Sequence, residues 1–129
     1  QVEVTAKTFV EKDFYIKIDL NYQKQKQKQK IEYLYLLNWS DQASFENMDH
    51  IYQFCILAMK KQGLKIIHCS AGVGRSATLA ICFLIIKQIQ ILKKKIQSWK
   101  DLSPSIYEMV EHFRVNRNPV CVQTVQQFK

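Results

Sequence analysis

At 129 residues, 47% hydrophobic and 23% charged, the chain has the size and balance of one globular domain with a core of its own. Its net charge of +8 lies largely in two patches without interleaved aromatics, which favours solvated segments over a nucleic-acid surface and acidic or phosphorylated substrates over neutral ones. No signal-peptide pattern is visible, and no apolar run reaches membrane-spanning length, since residues 77–86 stop at Lys87.

Residues 2–9 and 14–20 roughly alternate apolar and polar side chains, with Val, Thr, Ile and Phe prominent, and read as half-buried strands. Residues 23–30 are a Gln-Lys repeat (Lys24, Lys26, Lys28, Lys30) with nothing to bury, which predicts a mobile low-complexity hairpin loop. Residues 31–37 return as a third strand, antiparallel to its neighbour. The period then changes. Phe45, Met48, Ile51, Tyr52, Cys55, Ile56 and Met59 share one helical stripe that ends at Gly63, a C-cap candidate. A short buried strand over 64–67 follows, then a glycine-bearing run, then an apolar helix from Ser76 to about Gln90. Residues 93–100, opening with Lys93-Lys94-Lys95, form a polar connector. Ser103-Pro104 is an N-cap and first-turn pair for a helix carrying Ile106, Val110 and Phe113, which Asn118-Pro119 ends. Strands first, then helices around one more strand, predict an α/β fold: a mixed twisted sheet flanked by helices. The chain starts at Gln1 and stops at Lys129 in mid-element, which reads as one domain incomplete at its N-terminal side.

The chemistry concentrates in His68-Cys69-Ser70-Ala71-Gly72-Val73-Gly74-Arg75-Ser76. Placed between a strand and a helix start, this run builds a cup of backbone N–H groups for a tetrahedral oxyanion, with a sulfur at its base. Cys69 must be a thiolate to attack phosphorus. The loop amides, the helix N-terminus and Arg75 all lower its pKa. Gly72 and Gly74 let the backbone bend close to phosphate oxygens. Arg75 offers a planar fork for two equatorial oxygens, and Ser76 can donate to the sulfur as it leaves. A bare Cys-x5-Arg pair recurs by chance; the whole run, correctly placed, does not. The other cysteines, Cys55, Cys82 and Cys121, sit in apolar runs without paired spacing and read as small buried residues in a reducing compartment.

The nine-residue run resembles the phosphate-binding loop of the tyrosine-specific branch of the cysteine-based protein phosphatases. The resemblance makes Cys69 the nucleophile, Arg75 the phosphate clamp and His68 a support for the loop. Residues Ser70, Ala71, Gly72, Val73 and Gly74 then line the substrate phosphate. One departure follows directly: Ala77 stands where the family usually has glycine, and closer packing of the helix start is the expected effect. Trp39-Ser40-Asp41 resembles the family's mobile Trp-Pro-Asp loop, which makes Asp41 the general acid toward the tyrosyl oxygen and then the base toward water. Ser40 replaces the proline, and Gln42-Ala43-Ser44 lacks the glycine that follows, so loop closure differs. Taken alone, Asp41 also fits a solvated turn. Gln123-Thr124-Val125-Gln126-Gln127 resembles the glutamine loop, with Gln123 positioning the hydrolytic water and Gln127 assisting. A polar helix start is the plain alternative. Arg114-Val115-Asn116-Arg117 resembles the family's Arg-x-x-Arg, one residue further from the glutamine; surface charge at a helix end explains it equally well.

The resemblance implies hydrolysis of phosphotyrosine in proteins through a phosphocysteine, with no metal or other cofactor and no nucleic-acid partner. It also implies a cytoplasmic protein, or the intracellular part of a larger or membrane-anchored one, although no membrane contact is indicated. The family's tyrosine-bearing recognition loop and the glutamate bracing its arginine lie upstream of anything matched here. A catalytically weak phosphotyrosine-binding domain, motivated by Ser40 and Ala43, and a dual-specificity or phosphoinositide phosphatase stand beside this reading.

Overall fold

Alternation in the first third produces three strands, β1 (Val2–Lys12), β2 (Tyr15–Lys24) and β3 (Gln27–Leu36), paired antiparallel in the order β1-β2-β3. The computed structural model describes residues 2–24, 26–92, 100 and 105–128. Because successive side chains alternate faces, the register Ala6–Leu20–Ile31 and Thr8–Ile18–Tyr33 gathers one apolar face. Lys7, Asp19 and Glu32 share the other, where Lys17 reaches Glu32 at 3.2 Å and Lys30 reaches Asp19 at 3.0 Å. The described part of the Gln-Lys repeat is mostly strand and not a loop: the ladder continues to Lys24 paired with Gln27. Main-chain pairing needs no apolar side chain, and long polar stems project from both faces without clashing. The first unit, Gln1–Asn38, contains this sheet; the second, Trp39–Lys129, contains the helices.

In the second unit α1 (Met48–Lys60) starts at Asn47, whose Oδ1 accepts from the N–H groups of Asp49 (3.0 Å) and His50 (3.3 Å). The helix ends at Lys61 in extended conformation, so Gly63 (φ +93°) lies beyond the cap rather than forming it. No strand forms over 64–67, where Leu64 is 92% and Ile66 81% exposed. A strand exists only through a ladder partner, and no described segment pairs with this one. Next comes α2 (Arg75–Leu92), which runs through Lys87 for 18 residues at a mean hydropathy of 1.4. Contrary to the sequence expectation it is long and apolar enough, by length and composition, to cross a membrane, and 22% of it is buried. It packs against α1, α3 (Ile106–Asn116) and α4 (Val125–Phe128). Its Ala77 and Ile81 join Met109, Val110, Cys121 and Val122 in the core.

Ser103-Pro104 and residues 93–99 fall outside the described residues. The cap of α3 is Ser105: its Oγ accepts from Glu108 N–H at 3.3 Å, and Glu108 Oε2 accepts from Ser105 N–H at 2.6 Å. Ser105→Ala is expected to lower the unfolding free energy by about 1 kcal/mol, read as an earlier urea midpoint at unchanged slope. An unmoved midpoint would show the box contributes nothing.

Candidate active site

Between the exposed segment at 64–67 and the first turn of α2, the chain folds back on the sulfur of Cys69. Gly72 N–H donates to Sγ at 3.2 Å, and Ser76 Oγ lies 3.4 Å from it, the hydroxyl being the donor once the sulfur is ionised. Two glycines make this turn possible. Gly72 has φ +76°, in the left-handed region, and Gly74 is packed so closely that a Cβ would meet Gln123 Oε1 and Gln127 Nε2, both at 3.0 Å. Thr78 then donates to the Gly74 carbonyl from N–H (3.0 Å) and Oγ1 (3.1 Å), starting α2. Partial burial pushes the Cys69 thiol up. The Ser76 hydroxyl, the Ser76 and Gly72 amides and the Arg75 charge outweigh it, and the thiol sits below its ordinary value. Burial instead raises Cys82, and raises Cys55 to about 12. All four cysteines are free.

Arg75 is gathered over the same loop. Its Nη1 donates to Trp39 O at 3.1 Å, and its Nη2 donates to Ser70 Oγ at 3.4 Å and pairs with Asp41 Oδ1 at 3.3 Å. The Trp39–Asp41 turn is thereby tied to Arg75, and Trp39 Nε1 donates to Ala43 O at 2.9 Å with its ring edge-on to Phe45. Asp41 is otherwise open to solvent. Gln123 and Gln127 both lie against Gly74. Gln127 is buried, and its Oε1 accepts from Gln123 N–H at 2.9 Å. His68 and Ala71 are exposed, Val73 is half-buried, and Ala77 is 2% exposed in the core beneath the helix start. The structure thus brings Cys69, Arg75, Asp41, Ser76, Gln123 and Gln127 to one loop. Among the described residues, no three His, Cys, Asp or Glu side chains are grouped as a metal ion's ligands would be. A low-pKa sulfur facing amide donors beside a guanidinium is equipped to take up a tetrahedral oxyanion and attack it.

The family model of the protein-tyrosine phosphatases matches residues 1–129. The chain belongs to the protein-tyrosine phosphatase family. It is 34% identical over 98 residues to tyrosine-protein phosphatase 1 of Schizosaccharomyces pombe, covering 71% of this chain and 17% of that one. To tyrosine-protein phosphatase non-receptor type ptp-2 of Caenorhabditis elegans it is 31% identical over 130 residues, covering 89% and 18%. Among solved structures, the catalytic domain of human protein tyrosine phosphatase non-receptor type 18 superposes with a TM-score of 0.79 at 24% identity, over 98% of this chain and 45% of that one. That phosphatase has also been solved with HER2 phosphopeptides. TcPTP1 of Trypanosoma cruzi gives a TM-score of 0.82 at 17% identity, over 98% and 44%. The fold is therefore that of protein-tyrosine phosphatase catalytic domains. The chain spans under half of those structures and under a fifth of the curated relatives it matches.

Within this phosphatase fold, three residues hold the site together that sequence reasoning left out or undecided. Arg114 donates from Nε to Cys121 O (3.1 Å) and from Nη2 to Val122 O (3.4 Å). Those bonds hold Val122 at φ +55°, a strained conformation for a β-branched residue, directly before Gln123. Arg117 donates from Nε and Nη2 to Gly72 O at 3.1 and 3.0 Å, so neither arginine is mere surface charge. Thr124 Oγ1 donates to Gln42 O at 2.8 Å, tying the glutamine segment to the Asp41 turn. The Arg-x-x-Arg spacing was a legible signal for the arginines; nothing in the pattern marked Thr124.

Proposed function

We propose that this chain hydrolyses phosphotyrosine in proteins, in two steps, through a phosphocysteine. One observation carries the reading: the Cys69 sulfur lies 3.2 Å from the Gly72 amide and 3.4 Å from the Ser76 hydroxyl, beside Arg75, and is held below the ordinary thiol range. The sulfur lone pair forms the S–P bond as the bond from phosphorus to the tyrosyl oxygen breaks. Loop amides and the Arg75 fork hold the equatorial oxygens. Asp41 gives its proton to the leaving oxygen. Asp41 pairs with Arg75 Nη2 at 3.3 Å, and an incoming phosphate that takes this donor releases the carboxyl toward the leaving group. In the second step Gln123 orients water and Asp41 accepts its proton. The water oxygen forms its bond to phosphorus as the S–P bond breaks toward a thiolate that Ser76 stabilises, and inorganic phosphate leaves. The names of the relatives support phosphotyrosine proteins as substrates, and a nucleophilic thiolate calls for a reducing, cytoplasmic setting.

Two variants of the full-length protein test the steps. Gln123→Ala is expected to accumulate label on the Cys69 peptide when quenched during turnover of a labelled aryl phosphate. Absence of any adduct at Cys69 in an active protein overturns the mechanism. Asp41→Ala is expected to lower kcat for phenyl phosphate by roughly 10²–10⁴-fold and far less for a substrate whose leaving group needs no proton. Tight phosphopeptide binding with no turnover would instead favour a pure binding domain, with Asp41 pinned on Arg75.

A further inference from the structure

The anion cup works only if its N–H groups point inward, and the loop does not enforce that by itself. Each peptide unit is planar, with its C=O and the following N–H pointing in opposite directions. Fixing one carbonyl on the outside of the loop therefore fixes the next amide on the inside. Two consecutive units are held this way by atoms distant in sequence. The Val73 carbonyl accepts from Val122 N–H at 3.0 Å, which turns the Gly74 amide inward. The Gly72 carbonyl accepts two donors from Arg117, Nε at 3.1 Å and Nη2 at 3.0 Å, across 45 positions of sequence. That pins the unit carrying the Val73 amide. The same unit is the one most able to turn over, because Gly72 at φ +76° has no Cβ to hold it, and a Cβ there would meet Arg117 Nη2 at 3.1 Å.

We propose that Arg117 is a positioning residue for the phosphate loop: its guanidinium holds the Gly72–Val73 peptide with the carbonyl outward, next to the Gly72 N–H that donates to the Cys69 sulfur, so that an amide donor rather than a carbonyl oxygen lies at the rim of the anion cup. Were that unit to flip, an acceptor would replace a donor at the rim of the cup. An oxygen there repels both the thiolate and the phosphate oxygens, so one rotation loses a hydrogen bond and adds a repulsion. A lysine cannot substitute fully. One ammonium keeps the charge but not the two-donor fork converging on a single oxygen. The charged or titratable groups near the sulfur are Arg75 and its partner Asp41 from the second unit's loops, His68 next to it in sequence, and Arg117 itself behind the loop. Of these, Arg117 acts through the peptide, without a bond to Cys69.

The effect on turnover rests on the phosphatase reading; the effect on the sulfur does not. The test is therefore the pH dependence of Cys69 alkylation by iodoacetamide in the full-length protein, followed by mass spectrometry of the Cys69 peptide, alongside kcat and KM for an aryl phosphate. Arg117→Ala is expected to move the alkylation midpoint up by about one pH unit and to lower kcat/KM by roughly 10²-fold, with Arg117→Lys in between. Millimolar guanidinium added to Arg117→Ala is expected to restore part of both. An Arg117→Ala protein with a lower melting temperature but an unmoved midpoint overturns the proposal, because stability alone does not alter the sulfur's surroundings. If Arg117→Ala fails to fold, Arg117→Lys is read in its place, and a wild-type midpoint there overturns it equally. A shifted midpoint in a protein without turnover sinks the phosphatase reading and leaves the positioning role standing.

Discussion

Cys69→Ser is expected to abolish turnover, a fall in kcat of roughly 10⁴-fold or more, while oxyanions such as tungstate still bind. The size of the loss follows from ionisation. The Cys69 thiol sits below its ordinary value because the Ser76 hydroxyl, the Ser76 and Gly72 amides and Arg75 overcome the opposing effect of partial burial. A serine hydroxyl in the same cup stays protonated throughout the working range and cannot form the bond to phosphorus at a comparable rate. The sign of the pH dependence is fixed by the direction of the shift. The thiolate prevails above the depressed value, so the acid limb of activity rises with pH and levels off below the range where an unperturbed thiol would ionise. The other cysteines provide an internal control. Burial drives Cys55 up to about 12 and raises Cys82, so limited alkylation near neutral pH should label Cys69 and spare both. A Cys69→Ser protein retaining a tenth of wild-type kcat would place the nucleophile elsewhere and end the proposed mechanism.

Arg75→Lys is the second large effect, a loss of roughly 10³-fold in kcat/KM despite the retained charge. Arg75 spreads its donors over several acceptors: Nη1 on Trp39 O at 3.1 Å, Nη2 on Ser70 Oγ at 3.4 Å and on Asp41 at 3.3 Å. Its Nε is buried and meets no acceptor among the described residues. A lysine ammonium reaches one of these positions at a time, so it can keep the Asp41 turn or the phosphate but not a bidentate grip on two equatorial oxygens. Because the positive charge remains, the Cys69 alkylation midpoint should move much less than turnover does. Equal changes in both would mean that Arg75 acts only as a charge beside the sulfur.

Much of the site was readable because its innermost bonds are local. Cys69, Gly72 and Ser76 lie within seven positions, so a glycine-bearing turn running into a helix start places sulfur, amide and hydroxyl together with little help from elsewhere. The cap of α3 was expected at Ser103-Pro104, outside the described residues, and the structure has it at Ser105. Ser105 stands three residues before Glu108, and that spacing is what a capping box needs. The Gln-Lys repeat misled for the opposite reason. Polar composition says that nothing is buried, but whether such a segment pairs depends on the partner strand, and the ladder runs on to Lys24 and Gln27. Lys87 misled about the apolar run and not about the helix, which was read to about Gln90: one charge still leaves 18 helical residues at a mean hydropathy of 1.4.

By itself the sequence determined which atoms are present and how those within a few residues meet: a thiol, amides, a hydroxyl and a guanidinium on one tight turn, with three alternating strands before them. Tertiary structure decided the partners. It set Arg117 on the Gly72 carbonyl across 45 positions, Thr124 on the Gln42 carbonyl across 82, and Asp41 on Arg75, and among the described residues it gave 64–67 no ladder partner. Short-range geometry follows from the dihedral preferences of a few residues, whereas a bond between distant segments forms only when packing brings their backbones together.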